Sequence, residues 1–373
     1  MAAIAVIAVI AAIGSSGIGA APIGAVRPSA VAASDWTTFD HDPQRTGVDS
    51  SGNSFSPAAP AWTSPVLDGQ LYGQPLIAGG RVFVATENDT VYALAADSGQ
   101  VLWSNHLGTP LDPSTVAGLC GDIHPTVGIT GTPVIDTARS ELFVVDTVAS
   151  AGNAVHRLVG LDLYTGAVVL DEGIDPPGAE PAFQLQRVSL ALTDGRVVVG
   201  FGGNAGDCEP YHGLVVSAPE NGAPVSTYTV ADGPGDGQGA VWMGGAAPSI
   251  DAGGNVWVAT GNSEYHSASD PPDQSDSVLE LSPTMELLDS FAPRAGTTTM
   301  HRMPTWARVP RPSSRTGSSS RWASRRRPTS SASPCWGGSV GRWVSPMTSA
   351  SRTGARPTST APCSSRAPTG SMP

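Results

Sequence analysis

Residues 79–103 read GGRVFVATENDTVYALAADSGQVLW, and they decide the fold. Arg81–Ala85 is an alternating run rich in β-branched residues, introduced by a Gly-Gly turn. Glu87-Asn88-Asp89 is a polar turn. Thr90–Leu94 is a second run, Asp97-Ser98-Gly99 a second turn, and Val101-Leu102-Trp103 a third strand. Short alternating runs joined by tight turns predict an up-and-down antiparallel sheet. A single such sheet cannot bury its own faces and needs copies beside it.

The copies are present. Openings built on Pro or Ser recur at Gln74–Ile77, Thr132–Ile135, Val188–Ala191 and Ala247–Ile250. Each leads into a β-run: Val82–Val84, Leu142–Val145, Val197–Val199 and Val256–Val258. A further run follows each time, at Val91–Leu94, Leu158–Leu161, Leu214–Val216 and Val278–Leu281. Gly99, Gly166 and Gly222 then mark turns into another short strand. A repeating four-strand unit predicts an all-β β-propeller of antiparallel four-stranded blades, with about four blades readable. A β-sandwich is the alternative, but a sandwich needs no repeating unit.

The string TVYALAADSGQVLW resembles the repeat of the pyrroloquinoline-quinone (PQQ) repeat β-propellers, the quinoprotein alcohol dehydrogenase-like family. Tyr92, Ala93, Leu94, Ser98, Gly99 and Trp103 carry the pattern, and Gly160, Leu161, Asp162, Thr165 and Gly166 repeat it more loosely. The resemblance covers roughly Asp35 to Ser290. It implies the fold, and it is compatible with two functions. The family includes quinone-dependent dehydrogenases and also non-catalytic outer-membrane assembly lipoproteins.

For the first function, Trp242 resembles the tryptophan that stacks under the quinone, and Asn262 resembles the asparagine that ligates calcium. A flat aromatic and a hard oxygen ligand suit a planar cofactor with Ca²⁺. The family's Pro after this Asn is replaced by Ser263, and the vicinal cysteines of the quinone alcohol dehydrogenases are absent. Trp242 is equally explained as core filling, and Gly261-Asn262 as an ordinary turn. The expectation is therefore a non-catalytic scaffold without a cofactor, binding a protein, a glycan or an envelope component. A PQQ- and calcium-dependent dehydrogenase is the alternative.

Several loops supply further candidates. Asp207, Glu209, His212, Asp232 and Asp236 lie in long polar loops, where ligands usually meet such scaffolds. Glu264, Asp270, Asp273 and Asp276 could hold a cation, although the spacing of a calcium-loop motif is missing. Cys120 and Cys208 could pair as a disulfide in an exported protein or remain separate thiols. No phosphate-binding glycine loop, nucleophile elbow or His-Glu-x-x-His motif is present.

Residues 1–33 are small and apolar, ending in Val31-Ala32-Ala33 before Ser34, the small-x-small form of a signal cleavage site. The apolar core is short for a membrane span. Export to the cell-envelope exterior or medium is expected, with residues 34–291 as the folded part.

After Phe291 the chemistry changes. Residues 292–373 contain no Asp, Glu, Lys, Leu, Ile, Phe, Tyr, Asn or Gln. Seven arginines and 32 acidic residues precede this point, for a formal charge of −25, and 13 arginines follow it. An acidic folded part argues against nucleic acid as its partner. The tail reads either as a disordered basic arm for nucleic acid or another polyanion, or as out-of-frame translation of a G+C-rich gene.

The genetic code separates these two readings. When the last base of each codon is joined to the first two of the next, several residues become fixed. Cys335-Trp336 gives Leu. Trp336-Gly337, Trp322-Ala323 and Trp306-Ala307 each give Gly. Met300-His301 and Met303-Pro304 each give Ala. The string from Pro312 then allows Leu-Leu-Ala-Asp-Gly-Val-Phe, an apolar run followed by a turn and a β-run. The frame-shifted reading restores propeller-like sequence, and it is the expectation for residues 292–373.

Overall fold

The computed structural model describes residues 35–52, 60–119, 123–204, 211–233, 237–261 and 273–292. These all lie in one compact unit. Residues 1–34, nearly all of the arginine-rich tail, Cys120, Cys208, Asp207, Glu209, Asp236, Asn262, Glu264 and Asp270 fall outside the described residues.

Four antiparallel meanders follow one another and resemble propeller blades. The first holds β1 (Leu76–Ala78), β2 (Arg81–Ala85), β3 (Thr90–Ala95) and β4 (Val101–His106). The second holds β5 (Val134–Asp136), β6 (Glu141–Ser150), β7 (Asn153–Asp162) and β8 (Val168–Gly173). A two-residue strand β9 (Gln184–Leu185) pairs with the end of β11 (Arg196–Gly203). That strand belongs to the third blade, with β10 (Ala191–Thr193), β12 (Leu214–Pro219) and β13 (Ser226–Thr229). The fourth holds β14 (Ser249–Ile250), β15 (Val256–Ala259), β16 (Val278–Leu281) and β17 (Leu287–Phe291).

Alternation explains the packing. In β2 and β3, Phe83, Ala85, Val91 and Ala93 point toward Leu142, Val144, Val159 and Leu161 of the second blade. Phe143, Val145 and Leu158 point the other way, against Val197, Val199 and Phe201 of the third. Val198 and Val215 meet Val256, Val258, Leu279 and Leu281 of the fourth. Blades two and three are thus apolar on both faces, which is why their strands read as near-continuous Val/Leu/Phe runs. Among the described residues no helix is long and apolar enough to cross a membrane.

Tryptophans lock consecutive blades. Trp103 of β4 lies over the turn glycine Gly166 of the second blade, and its indole N–H donates to Leu163 O (3.3 Å). Asn105 Nδ2 adds a bond to Gly166 O (2.8 Å). Gly166 has φ +72°, and a Cβ there would sit 2.6 Å from the ring. Only glycine meets both requirements.

The N-terminal segment joins three of the blades. Trp36 exchanges backbone bonds with Ile77, Thr37 O accepts from Ile135 N–H, and Pro43 O accepts from Ile250 N–H. Arg45 Nε donates to Pro248 O (2.9 Å), and Arg45 also bonds Thr38, Phe39 and Asp42. One stretch therefore ties the inner strands of blades one, two and four, independently of residues beyond 292.

Candidate functional site

The turn joining β2 to β3 and the connections entering β5, β10 and β14 meet at one rim. Thr132 O accepts from Leu190 N–H, and Ser189 N–H donates to Ala246 O while its hydroxyl donates to Gly245 O (2.6 Å). On this rim stands Glu87. Its side chain is buried, and Oε2 accepts from Gly128 N–H (2.7 Å) and Thr130 Oγ1 (3.1 Å). Oε1 has no partner. Burial raises the Glu87 pKa to about 7, against the pull of Gly128, Thr130 and the Arg187 charge.

Gln186 and Arg187 follow from the third blade. Gln186 is buried, donates from Nε2 to Val188 O (2.5 Å), and leaves Oε1 without a partner. The Arg187 guanidinium is half-buried and lies over the backbone of Gly245, where φ is +89° and a Cβ would collide with it. Trp242 completes the rim. Its half-buried indole is seated on Gly202 of β11, which tolerates no Cβ beneath the ring edge. The sequence-predicted Trp242 is thus brought to the rim, and its proposed partner Asn262 lies outside the described residues.

A second polar cluster lies between blades one and two. Asp89 is fully buried, and neither carboxylate oxygen has a well-aligned donor. Burial, then the Asp146 and Glu87 charges, raise its pKa to about 9, while Arg157 opposes them. Asp146 is also fully buried, and it pairs with Arg157 (Nη2 to Oδ2, 2.5 Å). Arg157 reaches Asp171 (2.9 Å) and Leu107 O (3.1 Å) as well. Burial is the largest cause raising the Asp146 pKa, with the Arg157 bond working against it. Nearby, buried His156 bonds Asp175 through Nδ1 (2.7 Å) and packs on Phe201.

The other loop candidates stay apart from the rim chemistry. His212 contributes its backbone carbonyl to Gln184 Nε2 (2.9 Å), and Asp232 is exposed. Asp273 caps its own turn through Ser275. Burial raises the Asp276 pKa, with the Asp273 charge adding to it. Among the described residues no group of three His, Cys, Asp or Glu could hold a metal ion. Sequence reasoning missed Glu87, Gln186 and Arg187. Their one legible signal is charge or amide placed directly beside strand openings, at the ends of otherwise apolar runs.

Comparison with known proteins agrees with this architecture. Residues 55–181 match a family model described as outer membrane protein assembly factor BamB. Among solved structures, the quinohemoprotein alcohol dehydrogenase ADHIIG from Pseudomonas putida HK5 superposes with a TM-score of 0.52 at 14% identity, over 69% of this chain and 40% of that one. The quinohemoprotein alcohol dehydrogenase from Comamonas testosteroni gives 0.49 at 16%, over 69% and 41%. BamB from Moraxella catarrhalis gives 0.34 at 13%, over 63% and 67%. The chain therefore spans about 40% of the length of the first of these structures. No curated protein matches. Repeats, meanders and the match over residues 55–181 converge on the architecture of the PQQ-like repeat β-propellers, which this chain resembles.

Proposed function

We propose that the chain is a secreted, non-catalytic binding propeller whose ligand is held at the Glu87–Gln186–Arg187–Trp242 rim, here in a form damaged by a change of reading frame after Phe291. The observation that carries the reading is the pair of buried, unpartnered acceptors, Glu87 Oε1 and Gln186 Oε1, on the same rim as Arg187 and Trp242. A buried acceptor left without a donor costs about 1–3 kcal/mol, so a donor from outside is favoured there. Two acceptors, a guanidinium and an indole together recognise a hydroxyl-rich ligand. Hydroxyls donate to the carboxyl and amide, the guanidinium donates in return, and a sugar ring stacks on the indole. A glycan is the class that fits.

The test is titration calorimetry against a panel of envelope and extracellular glycans, on the full chain and on a frame-restored version. Arg187→Ala and Glu87→Gln are each expected to weaken the binding of a hit by about tenfold or more, with no lowering of the unfolding midpoint. No hit from the restored chain, or equal binding by both variants, contradicts the reading.

A second reading is a quinone with calcium at Trp242 and Asn262. The position of Trp242 at the rim favours it. When bound, the quinone would supply hydride-accepting chemistry, and Trp242 would serve only as its stacking platform. Adding PQQ with Ca²⁺ to the restored chain separates the two readings. A bound chromophore lost in Trp242→Ala supports the quinone, and no chromophore removes it.

A further inference from the structure

Six arginines lie among the described residues, and five of them are bonded. Arg45 reaches Pro248 O, Arg81 reaches Tyr164 O, Arg139 pairs with Glu141, Arg157 pairs with Asp146, and Arg196 bonds Ser217. Arg187 alone makes no hydrogen bond and no ion pair among the described residues. It is half-buried at the rim, and its position is nonetheless fixed. A Cβ built on Gly245 would stand 2.3 Å from its Nη1, 2.5 Å from Cζ and 2.6 Å from Nη2, so the guanidinium covers Gly245 broadside. Ser189 Oγ holds that platform by donating to Gly245 O (2.6 Å), and Gly245 N–H donates to Trp242 O (2.9 Å). The guanidinium and the Trp242 indole are therefore mounted on one turn.

The charge of Arg187 is felt at Glu87, where it lowers the carboxyl pKa, yet the two form no ion pair. Glu87 turns Oε2 to Gly128 and Thr130 and leaves Oε1 open. A half-buried guanidinium has lost part of its hydration, and its N–H donors call for oxygen acceptors. Its planar fork matches a carboxylate, with two parallel bonds. Glu87 restricts where such a carboxylate can lie. It repels negative charge from its own end of the rim and accepts hydroxyls there. The folded part carries 7 arginines against 32 acidic residues, a formal charge of −25, so densely charged anions are disfavoured as well. One carboxylate on a ring that otherwise bears hydroxyls meets all of these conditions.

We infer that the rim selects acidic glycans, with a uronate carboxylate seated on Arg187, ring hydroxyls on Glu87 Oε1 and Gln186 Oε1, and the sugar face on Trp242. The inference rests on the glycan reading of this site and names its substrate class. Arg187 is then the residue that sets specificity. A uronate and the neutral hexose made from it by carboxyl reduction offer the same hydroxyls to Glu87 and Gln186 and the same face to Trp242. They differ only in what they present to the guanidinium.

Calorimetry on the full chain tests it, because all four residues precede Phe291. The probes are oligomers of galacturonate, of mannuronate with guluronate, and of the hyaluronan repeat, each beside its carboxyl-reduced neutral counterpart. At least one acidic oligomer should bind about 10–100-fold more tightly than its reduced counterpart, and the preference should shrink as salt rises. Arg187→Ala should abolish the preference, and Arg187→Lys, which keeps the charge without the fork, should restore part of it. Should a variant fail to fold, the preference of the wild type and competition by inorganic phosphate decide. Phosphate that displaces the acidic oligomer at equal concentration would make Arg187 a bare anion seat and overturn the inference. Equal binding of the acidic and reduced forms, or a preference that survives in Arg187→Ala, overturns it and leaves the glycan reading standing. Binding of no glycan in either form overturns both.

Discussion

Asp89→Asn raises the stability of the propeller by about 2–4 kcal/mol at pH 8 and leaves it nearly unchanged near pH 4. The direction follows from where the proton sits. Asp89 is fully buried, and its pKa rises from 3.8 to about 9 on folding. Burial is the first cause, and the neighbouring Asp146 and Glu87 charges add to it. The folded state therefore holds a proton that the unfolded chain has released above its ordinary carboxylate pKa. Where the folded state binds more protons, stability falls as pH rises. The loss begins near pH 4 and continues until the folded pKa is passed near pH 9. Asparagine is neutral throughout and has nearly the same shape, so its advantage should widen across that window. Glu87 titrates in the same sense over a narrower range, with a folded pKa of about 7. Urea unfolding of the wild type and Asp89→Asn at pH 4, 6 and 8 checks the prediction. A variant that is equally stable, or less stable, at pH 8 would show that Asp89 is held ionised by Arg157.

Gly166→Ala should lower stability by about 3 kcal/mol or more. Two penalties coincide at this residue. The backbone is left-handed at φ +72°, and the added methyl would lie 2.6 Å from the Trp103 ring that joins blades one and two. Gly178→Ala separates them. Its φ is +86°, yet nothing lies within 4 Å of the added carbon, so it should cost only about 1 kcal/mol. Equal losses in the two variants, measured by urea unfolding, would mean that the tryptophan contact contributes nothing to the locking of the blades. A much larger loss at Gly166 assigns the excess to that contact.

The blades were legible in the sequence because their signal is local. Arg81–Ala85 and Thr90–Ala95 alternate, carry β-branched residues and end at glycines, and each feature acts within a few residues. Trp103 and Gly99 were legible as a repeat. That Trp62 lies over Gly99 as Trp103 lies over Gly166 was not, because Ala61–Leu67 contains Pro65 and forms no strand. Glu87 and Asp89 read as part of a polar turn. Their burial comes from Gly128 and the second blade, some forty residues away in sequence, and no local pattern reports such a contact. The reach of Arg45 to Pro248 is hidden for the same reason. At the rim, Trp242 was found through its resemblance to a family motif, whereas Gln186 and Arg187 belong to a connection with no motif at all.

The three functional readings differ in how they treat the chain after Phe291. The glycan-binding and quinone-binding readings go with the shifted frame. A half-propeller with a basic arm needs the frame as it stands, and tight, salt-sensitive binding of that arm to DNA. Sequencing the gene across the codons for Phe291 to Ala295 decides between them most directly. The composition change and the fixed Gly, Leu and Ala positions predict one inserted or missing base there, relative to a reading frame that stays open into further propeller repeats. An uninterrupted frame with no such base would contradict this, and residues 292–373 would then be a genuine arginine-rich arm on an acidic propeller.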